Sequence, residues 1–238
     1  MSASQPPSEL TTDITIPRAS LRRWLFGAWL VVALLGLGAE LARYRLDIDP
    51  ENHWLWLFSL SHEGNIPTWY SSSLLVLSAV LLVLATLKAQ QTNAEHVWHW
   101  GFMAVVMAYI SMDEFIGFHE HANWIDGEGI FYFSWVIPAA IVVAILALVY
   151  FKFLLHLPQG SRRAFLIAGL VFIGGALGVE LVLGQWTETH TSHNLGYGLI
   201  DFVEESMEIL GVTLFVLALI DHLHGAPGTM GITLRRRP

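Results

Sequence analysis

The sequence predicts an all-α, polytopic membrane protein with six transmembrane helices in one bundle. Hydrophobic residues make up 54% of the 238 residues and charged residues only 13%, whereas soluble domains have about a quarter charged residues. The mean hydropathy is +0.54. Six apolar segments also reach the length of about 20 helical residues that crosses a bilayer. They lie near residues 21–42, 66–87, 97–119, 130–153, 164–184 and 199–220.

The segments outside these spans are polar. Residues 1–17 include Pro6, Pro7 and Pro17 and are expected to be a disordered cytoplasmic tail, without the basic start and apolar core of a cleavable signal peptide. Residues 18–224 then form the transmembrane domain and residues 225–238 a basic cytoplasmic tail. The chain has no cysteine, which excludes disulfides and thiolate metal sites, and its net charge of -8 argues against a nucleic-acid partner.

The basic residues predict the orientation. Ten of the twelve Lys and Arg residues fall on one side of a six-span arrangement, and only Arg43 and Arg45 fall on the other. The positive-inside rule therefore places both termini in the cytoplasm, and a bacterial inner membrane is the simplest host. The acids segregate the opposite way, at or near the outer side. Acidic loops account for some of them, but not for the acids inside the spans.

Two apolar segments resemble each other. Residues 22–41 and 162–181 both begin with paired arginines, continue with sixteen uncharged residues and end in Glu-Leu, as Glu40–Leu41 and Glu180–Leu181. The hairpin of segments 1 and 2 and the hairpin of segments 5 and 6 are related copies on one interpretation. On the other, the similarity is a chance match between apolar helices. Either way, sixteen residues rise about 24 Å, so Glu40 and Glu180 are expected at equal depth near the outer side. Neighbouring glycines predict tight helix–helix contacts there.

Acids also lie along one face of the sixth segment. Asp201, Glu204, Glu205 and Glu208 have the spacing i, i+3, i+4, i+7, which covers an arc of about 100° on a helix. The third segment ends with Asp113 and Glu114, and Glu120 and His121 share their face if the helix continues through Gly117. A distortion at Gly117 would instead bring His119 inward, so both histidines are candidates.

The topology brings these acids to one membrane level with little positive charge. Arg43 is three residues from Glu40 and can pair with it, but two arginines cannot neutralise the whole group. Buried carboxylates must be paired, protonated or bound to metal. We therefore expect one or two metal ions, Fe or Mn with Zn as the alternative. A proton path along shared carboxyl groups and a purely structural carboxyl network are the other two interpretations. The candidate ligands are Glu40, Asp113, Glu114, His119, Glu120, His121, Glu180, Glu204, Glu205 and Glu208.

This ligand set resembles that of soluble di-iron bundles, in which four helices supply acids and nearby histidines. The spacing differs, since Glu114 and His119 are five residues apart and Glu205 is followed at i+3 by Glu208. The resemblance concerns ligand chemistry alone. No serine-nucleophile elbow or phosphate-binding loop is convincing.

Three functions fit these features. The first is a metal-dependent oxidoreductase or hydroxylase acting on a lipid or a quinone-like substrate. The second is a transporter of divalent cations or protons, and the third is a zinc-dependent membrane hydrolase. A non-catalytic subunit with a structural metal is a further alternative. Membrane lipids are the expected partners, and the oligomeric state is left open. Histidines on the cytoplasmic side, such as His96, His156 and His222, are scattered and lie away from the acids, so they need no function.

Overall fold

The computed structural model describes residues 11–46, 48–49, 52–119, 127–224 and 229–235. Within these residues the chain forms eight α-helices, a 3-10 turn, a π-helical segment and two short strands. In chain order these are β1 (Thr11–Pro17), α1 (Arg18–Arg45), α2 (His53–Phe58), α3 (Ile66–Gln91), α4 (Val97–Ile116), the 3-10 turn (Gly129–Phe131), α5 (Val136–His156), α6 (Gln159–Ile173), the π segment (Gly174–Val179), α7 (Glu180–His190), α8 (Leu195–His224) and β2 (Thr229–Arg235).

Among the described residues, four helices are long and apolar enough to cross a membrane. They are α1, α3, α5 and the continuous helix formed by α6, the π segment and α7. Large apolar side chains point outward from them: Trp24 is 77% exposed, Leu148 78% and Leu170 71%. Exposed apolar surface of this kind fits a bilayer and would be a liability in water. The chain is therefore consistent with an integral membrane protein.

Helix α8 is the central element of the bundle. It packs against α1, α3, α6 and the π segment, and α3 also packs along α4. Val216 and Leu219 of α8 are completely buried among apolar side chains that include Leu75 and Leu82 of α3. At Gly211 a Cβ atom would lie 2.6 Å from a backbone nitrogen of α6, so glycine is required for this close crossing.

Two predicted segments have different ends in the structure. Helix α4 ends at Ile116, because Gly117 adopts the left-handed conformation (φ +70°) that terminates helices. Of the two alternatives at Gly117, the structure therefore has the distorted turn, and the helix ends before residue 119, where the predicted span ended. Helix α5 begins at Val136, since the 3-10 turn and a non-helical stretch occupy the start of the predicted fourth span.

The two strands lie before α1 and after α8 in the sequence and pair with each other. Strand β1 pairs antiparallel with β2, with Thr11 opposite Arg235 and Pro17 opposite Thr229. Residues 11–17 thus differ from the disordered tail expected from sequence; their Thr and Ile content favours an extended strand once a partner strand is available. The pairing brings the start of α1 and the end of α8 to the same side of the bundle.

Candidate functional site

The acidic face of α8 forms the centre of the site. Asp201, Glu204, Glu205 and Glu208 all lie in its first half, so the predicted spacing is realised on a continuous helix. Glu204 is only 6% exposed, and its Oε2 has no hydrogen-bond partner within the described part of the chain. Glu205 and Glu208 repel each other and also interact with the Glu180 carboxylate of α7. This face concentrates four acids on the first half of one helix.

Glu40 lies deep in the protein beside the start of α8. It is 1% exposed, and its Oε1 accepts hydrogen bonds from Ser59 Oγ at 2.7 Å and Ser61 Oγ at 3.2 Å. Gly198 of α8 makes room for this carboxylate, since a Cβ atom there would lie 2.7 Å from Glu40 Oε2. That second oxygen is buried and has no hydrogen-bond partner among the described residues.

Ser61 connects two carboxylates. Its hydroxyl contacts both Glu40 Oε1 and a carboxylate oxygen of Asp201. A hydroxyl carries one proton and can donate it to only one acceptor at a time. Two ionised carboxylates around one hydroxyl would repel each other, and a cation bound between them would offset that repulsion.

Glu180 approaches α8 from the other side. It is the first residue of α7, is 8% exposed and accepts a hydrogen bond from Trp135 Nε1 at 2.8 Å. The π segment directly before it packs tightly on α8: a Cβ atom at Gly175 would lie 2.8 Å from the Glu204 carbonyl oxygen. This contact holds Glu180 within electrostatic reach of Glu204. π-Helical insertions in helices are often found at functional sites.

The end of α4 contributes the remaining described acids. His119 Nδ1 lies 2.9 Å from Asp113 Oδ2, since the turn at Gly117 folds the chain back over the helix end. Glu114 accepts a hydrogen bond from Ser71 of α3 and interacts electrostatically with Glu208. Of the two candidate histidines, His119 therefore contacts one of these acids. Together the acids form what we call the acid cluster: Glu40, Asp113, Glu114, Glu180, Asp201, Glu204, Glu205 and Glu208.

Two other predicted ligands lie outside the described residues. Glu120 and His121 belong to residues 120–126, whose structure is not described. The alternative in which Arg43 neutralises Glu40 has no ion pair to support it among the described side chains. The Arg43 guanidinium instead lies 5.4 Å from the ring centre of Tyr44.

Sequence reasoning missed the polar partners of the acids. Ser59, Ser61, Ser71 and Trp135 each bond to a cluster carboxylate, and the Trp135 ring also lies 5.0 Å from the His119 ring. A signal was available in the run of three serines at residues 71–73, because hydroxyls in an apolar segment commonly bond across helices. Glu63 was also missed; its carboxylate lies against the backbone of the α4 end, at the position a Cβ of Gly117 would occupy.

Comparison with known proteins gives a family but no function. No curated protein and no solved structure matches the chain. A family model described as a domain of unknown function, DUF8692, matches residues 23–223. That match spans the bundle from α1 to α8 and contains every described acid of the site. The chain therefore belongs to the DUF8692 family.

Proposed function

We propose that the chain crosses the membrane six times, with α4 and α8 as spans besides the four apolar helices, and with both termini in the cytoplasm of a bacterial cell. Helices α4 and α8 have 20 and 30 residues, enough to span. The pairing of β1 with β2 supports an even number of crossings. The asymmetry of the basic residues supports the orientation.

This topology can be tested with single cysteines, because the native chain has none. A cysteine placed at 190, the exposed end of α7, is expected to react with an impermeant maleimide from outside intact spheroplasts. A cysteine placed at 158, between α5 and α6, is expected to react only after lysis. Labelling at 158 from outside would contradict the topology.

We infer further that the acid cluster binds one or two divalent metal ions, Fe or Mn in preference to Zn, near the outer face. The observation that supports this most directly is the pair of buried, unpartnered oxygens, Glu40 Oε2 and Glu204 Oε2, in a region crowded with carboxylates. A cation offsets the repulsion and uses oxygens that no protein group uses. Its ligands would come from Glu40, Asp113, Glu114, His119, Glu180, Glu204, Glu205 and Glu208.

The surroundings of the cluster favour a membrane enzyme over a transporter. On the C-terminal side of the acids, α8 continues with Ile209, Val212 and Val216, which are buried against apolar side chains of α3. A cation path to the other side would need polar steps through this layer. A carboxylate-rich Fe or Mn centre supplies oxidation or hydroxylation chemistry, and its depth fits a lipid or quinone-like substrate. We therefore propose a metal-dependent membrane oxidoreductase or hydroxylase.

The test is metal content in matched variants. Protein purified in detergent from iron-, manganese- and zinc-supplemented cultures is analysed by mass spectrometry of the elements. E204Q and E208Q are each expected to lower bound Fe or Mn at least about tenfold, since each removes a candidate ligand. The control is E188Q, which changes an exposed acid on α7 outside the cluster.

Opposite results separate the alternatives. If protons alone neutralise the cluster, glutamine is tolerated or stabilising, because a neutral buried side chain costs less than a charged one. A wild-type protein that carries no metal, and whose stability does not change with added Fe, Mn or Zn, would refute the metal centre and favour a proton path. Zinc as the sole bound metal would favour the hydrolase.

A further inference from the structure

A second group of potential metal ligands lies at the other end of the bundle. Glu95 and His96 stand in the turn between α3 and α4, and His156 is the last residue of α5. Each offers one donor atom, and these three atoms lie within 4.8 Å of one another. The acid cluster lies near the opposite end of α4. No sequence pattern connects His156 with Glu95 and His96, because His156 lies sixty positions after His96.

The ring of His156 is oriented for binding through Nε2. Its Nδ1 lies 2.8 Å from the Lys152 carbonyl oxygen, which can only accept a hydrogen bond, so Nδ1 carries the proton. In the neutral ring the lone pair is then on Nε2, and Nε2 faces Glu95 Oε2 at 3.4 Å. A cation between these two acceptors would bind both, whereas a proton on Nε2 would make them an exposed histidine–carboxylate ion pair. A backbone carbonyl on Nδ1 is also the usual support of a metal-bound histidine.

His96 provides the third donor at a structural cost. It has a left-handed backbone (φ +64°), unusual for a residue with a side chain, and caps α4 without a side-chain hydrogen bond. Its Nε2 is buried and has no hydrogen-bond partner within the described residues. The ring lies 4.6 Å from the His156 ring. The strained turn thus holds an imidazole beside the other two ligands and leaves a nitrogen unsatisfied.

We propose that Glu95, His96 and His156 bind a zinc ion at the cytoplasmic end of the bundle. Two imidazoles and one carboxylate are a common zinc ligand set, and a fourth position stays open to water or a small ligand. The three residues line a cavity of about 380 Å³. The nearby Lys88 ammonium donates to the Leu223 carbonyl oxygen, where it caps the end of α8. The zinc ion would tie the α3–α4 turn to the end of α5.

The experiment uses the full-length protein in detergent, stripped with chelator, in the E208Q background so that the acid cluster does not compete. Zinc is titrated by calorimetry, and cobalt absorption reports the coordination. We expect one zinc per chain. Loss of an outer-shell partner typically lowers metal affinity by about 10–100-fold. H96A and H156A each remove a proposed ligand and should lower the zinc affinity by more than that. E95Q changes an exposed carboxylate and should weaken binding at least about tenfold.

The matched control is H224A, an exposed histidine at the end of α8. Its zinc affinity should equal that of the parent. Zinc isotherms that are identical in the parent, H156A and E95Q would overturn the proposal and would indicate that a protonated His156 pairs with Glu95. This proposal can fail without affecting the acid cluster. In a chain that keeps Glu208, H156A should bind as much Fe or Mn as the wild type.

Discussion

The contact between the π segment and α8 makes a quantitative prediction for Gly175→Ala. The added Cβ would lie 2.8 Å from the Glu204 carbonyl oxygen, 3.1 Å from Met207 Cβ and 3.2 Å from Glu208 Cγ. Favourable carbon contacts lie at about 3.5–4.0 Å, so the two helices must separate by roughly 0.7 Å. Backbone cannot rotate away as a side chain can, and overpacking of this kind costs about 1–3 kcal/mol.

The assay is thermal unfolding of the purified protein in detergent, followed by tryptophan fluorescence. Gly178→Ala is the matched control: it lies in the same π segment, and its Cβ would meet nothing within 4 Å. There alanine restricts the unfolded chain and is expected to be neutral or to stabilise by up to about 1 kcal/mol. We therefore expect Gly175→Ala to lower the unfolding temperature and Gly178→Ala to leave it unchanged or raise it.

Gly175→Ala should also disturb the acid cluster, because the separation moves Glu180 away from Glu204 and Glu208. Metal content, where metal is bound, should fall in Gly175→Ala and stay unchanged in Gly178→Ala. Equal stability of both variants and the wild type would refute the close packing of the π segment on α8.

Two further predictions concern the hydrogen bonds that hold the acids. Trp135→Phe keeps the aromatic ring but removes the donor to Glu180, and should destabilise the protein by about 1–3 kcal/mol in the same unfolding assay. Ser59→Ala removes the 2.7 Å donor to the buried carboxylate of Glu40 and should cost a similar amount, whereas Ser73→Ala, at an exposed hydroxyl, should be within about 0.5 kcal/mol of the wild type. An unchanged unfolding temperature in both Trp135→Phe and Ser59→Ala would contradict the assigned bonds.

The helices could be predicted because their lengths follow from hydropathy, and the acidic face of α8 because the 3.6-residue period fixes which side chains share a face. Helix ends were harder to predict. Whether Gly117 continues or ends α4 depends on a local conformational choice, and the structure shows the left-handed one. The pairing of β1 with β2 was not predictable either, since it joins segments at opposite ends of the sequence.

The glycines near the acids were also predicted only in part. Tight contacts were predicted around Glu40 and Glu180, and Gly36 and Gly175 are indeed packed against neighbouring elements. Gly38 and Gly178, however, face open space, so a glycine-rich sequence did not reveal which glycine makes the contact. The relation between the two hairpins stays a prediction, and the structure adds a difference between them: a π segment precedes Glu180, whereas Glu40 follows regular helix.

Helix α8 changes from acidic to apolar side chains along its length, and the proposed metal centre lies at the acidic half. Its first half carries four acids, and from Ile209 onward its buried residues are apolar apart from Gly211 and Thr213. The acids in the first half are met by Glu40, Glu114 and Glu180 from three other elements, whereas the second half packs against apolar side chains of α3 and α6. In the proposed orientation these acids lie on the outer side of the apolar layer, and protons or cations that enter from that side would neutralise their charge. This one-sided access favours a site that binds and reacts over one that conducts.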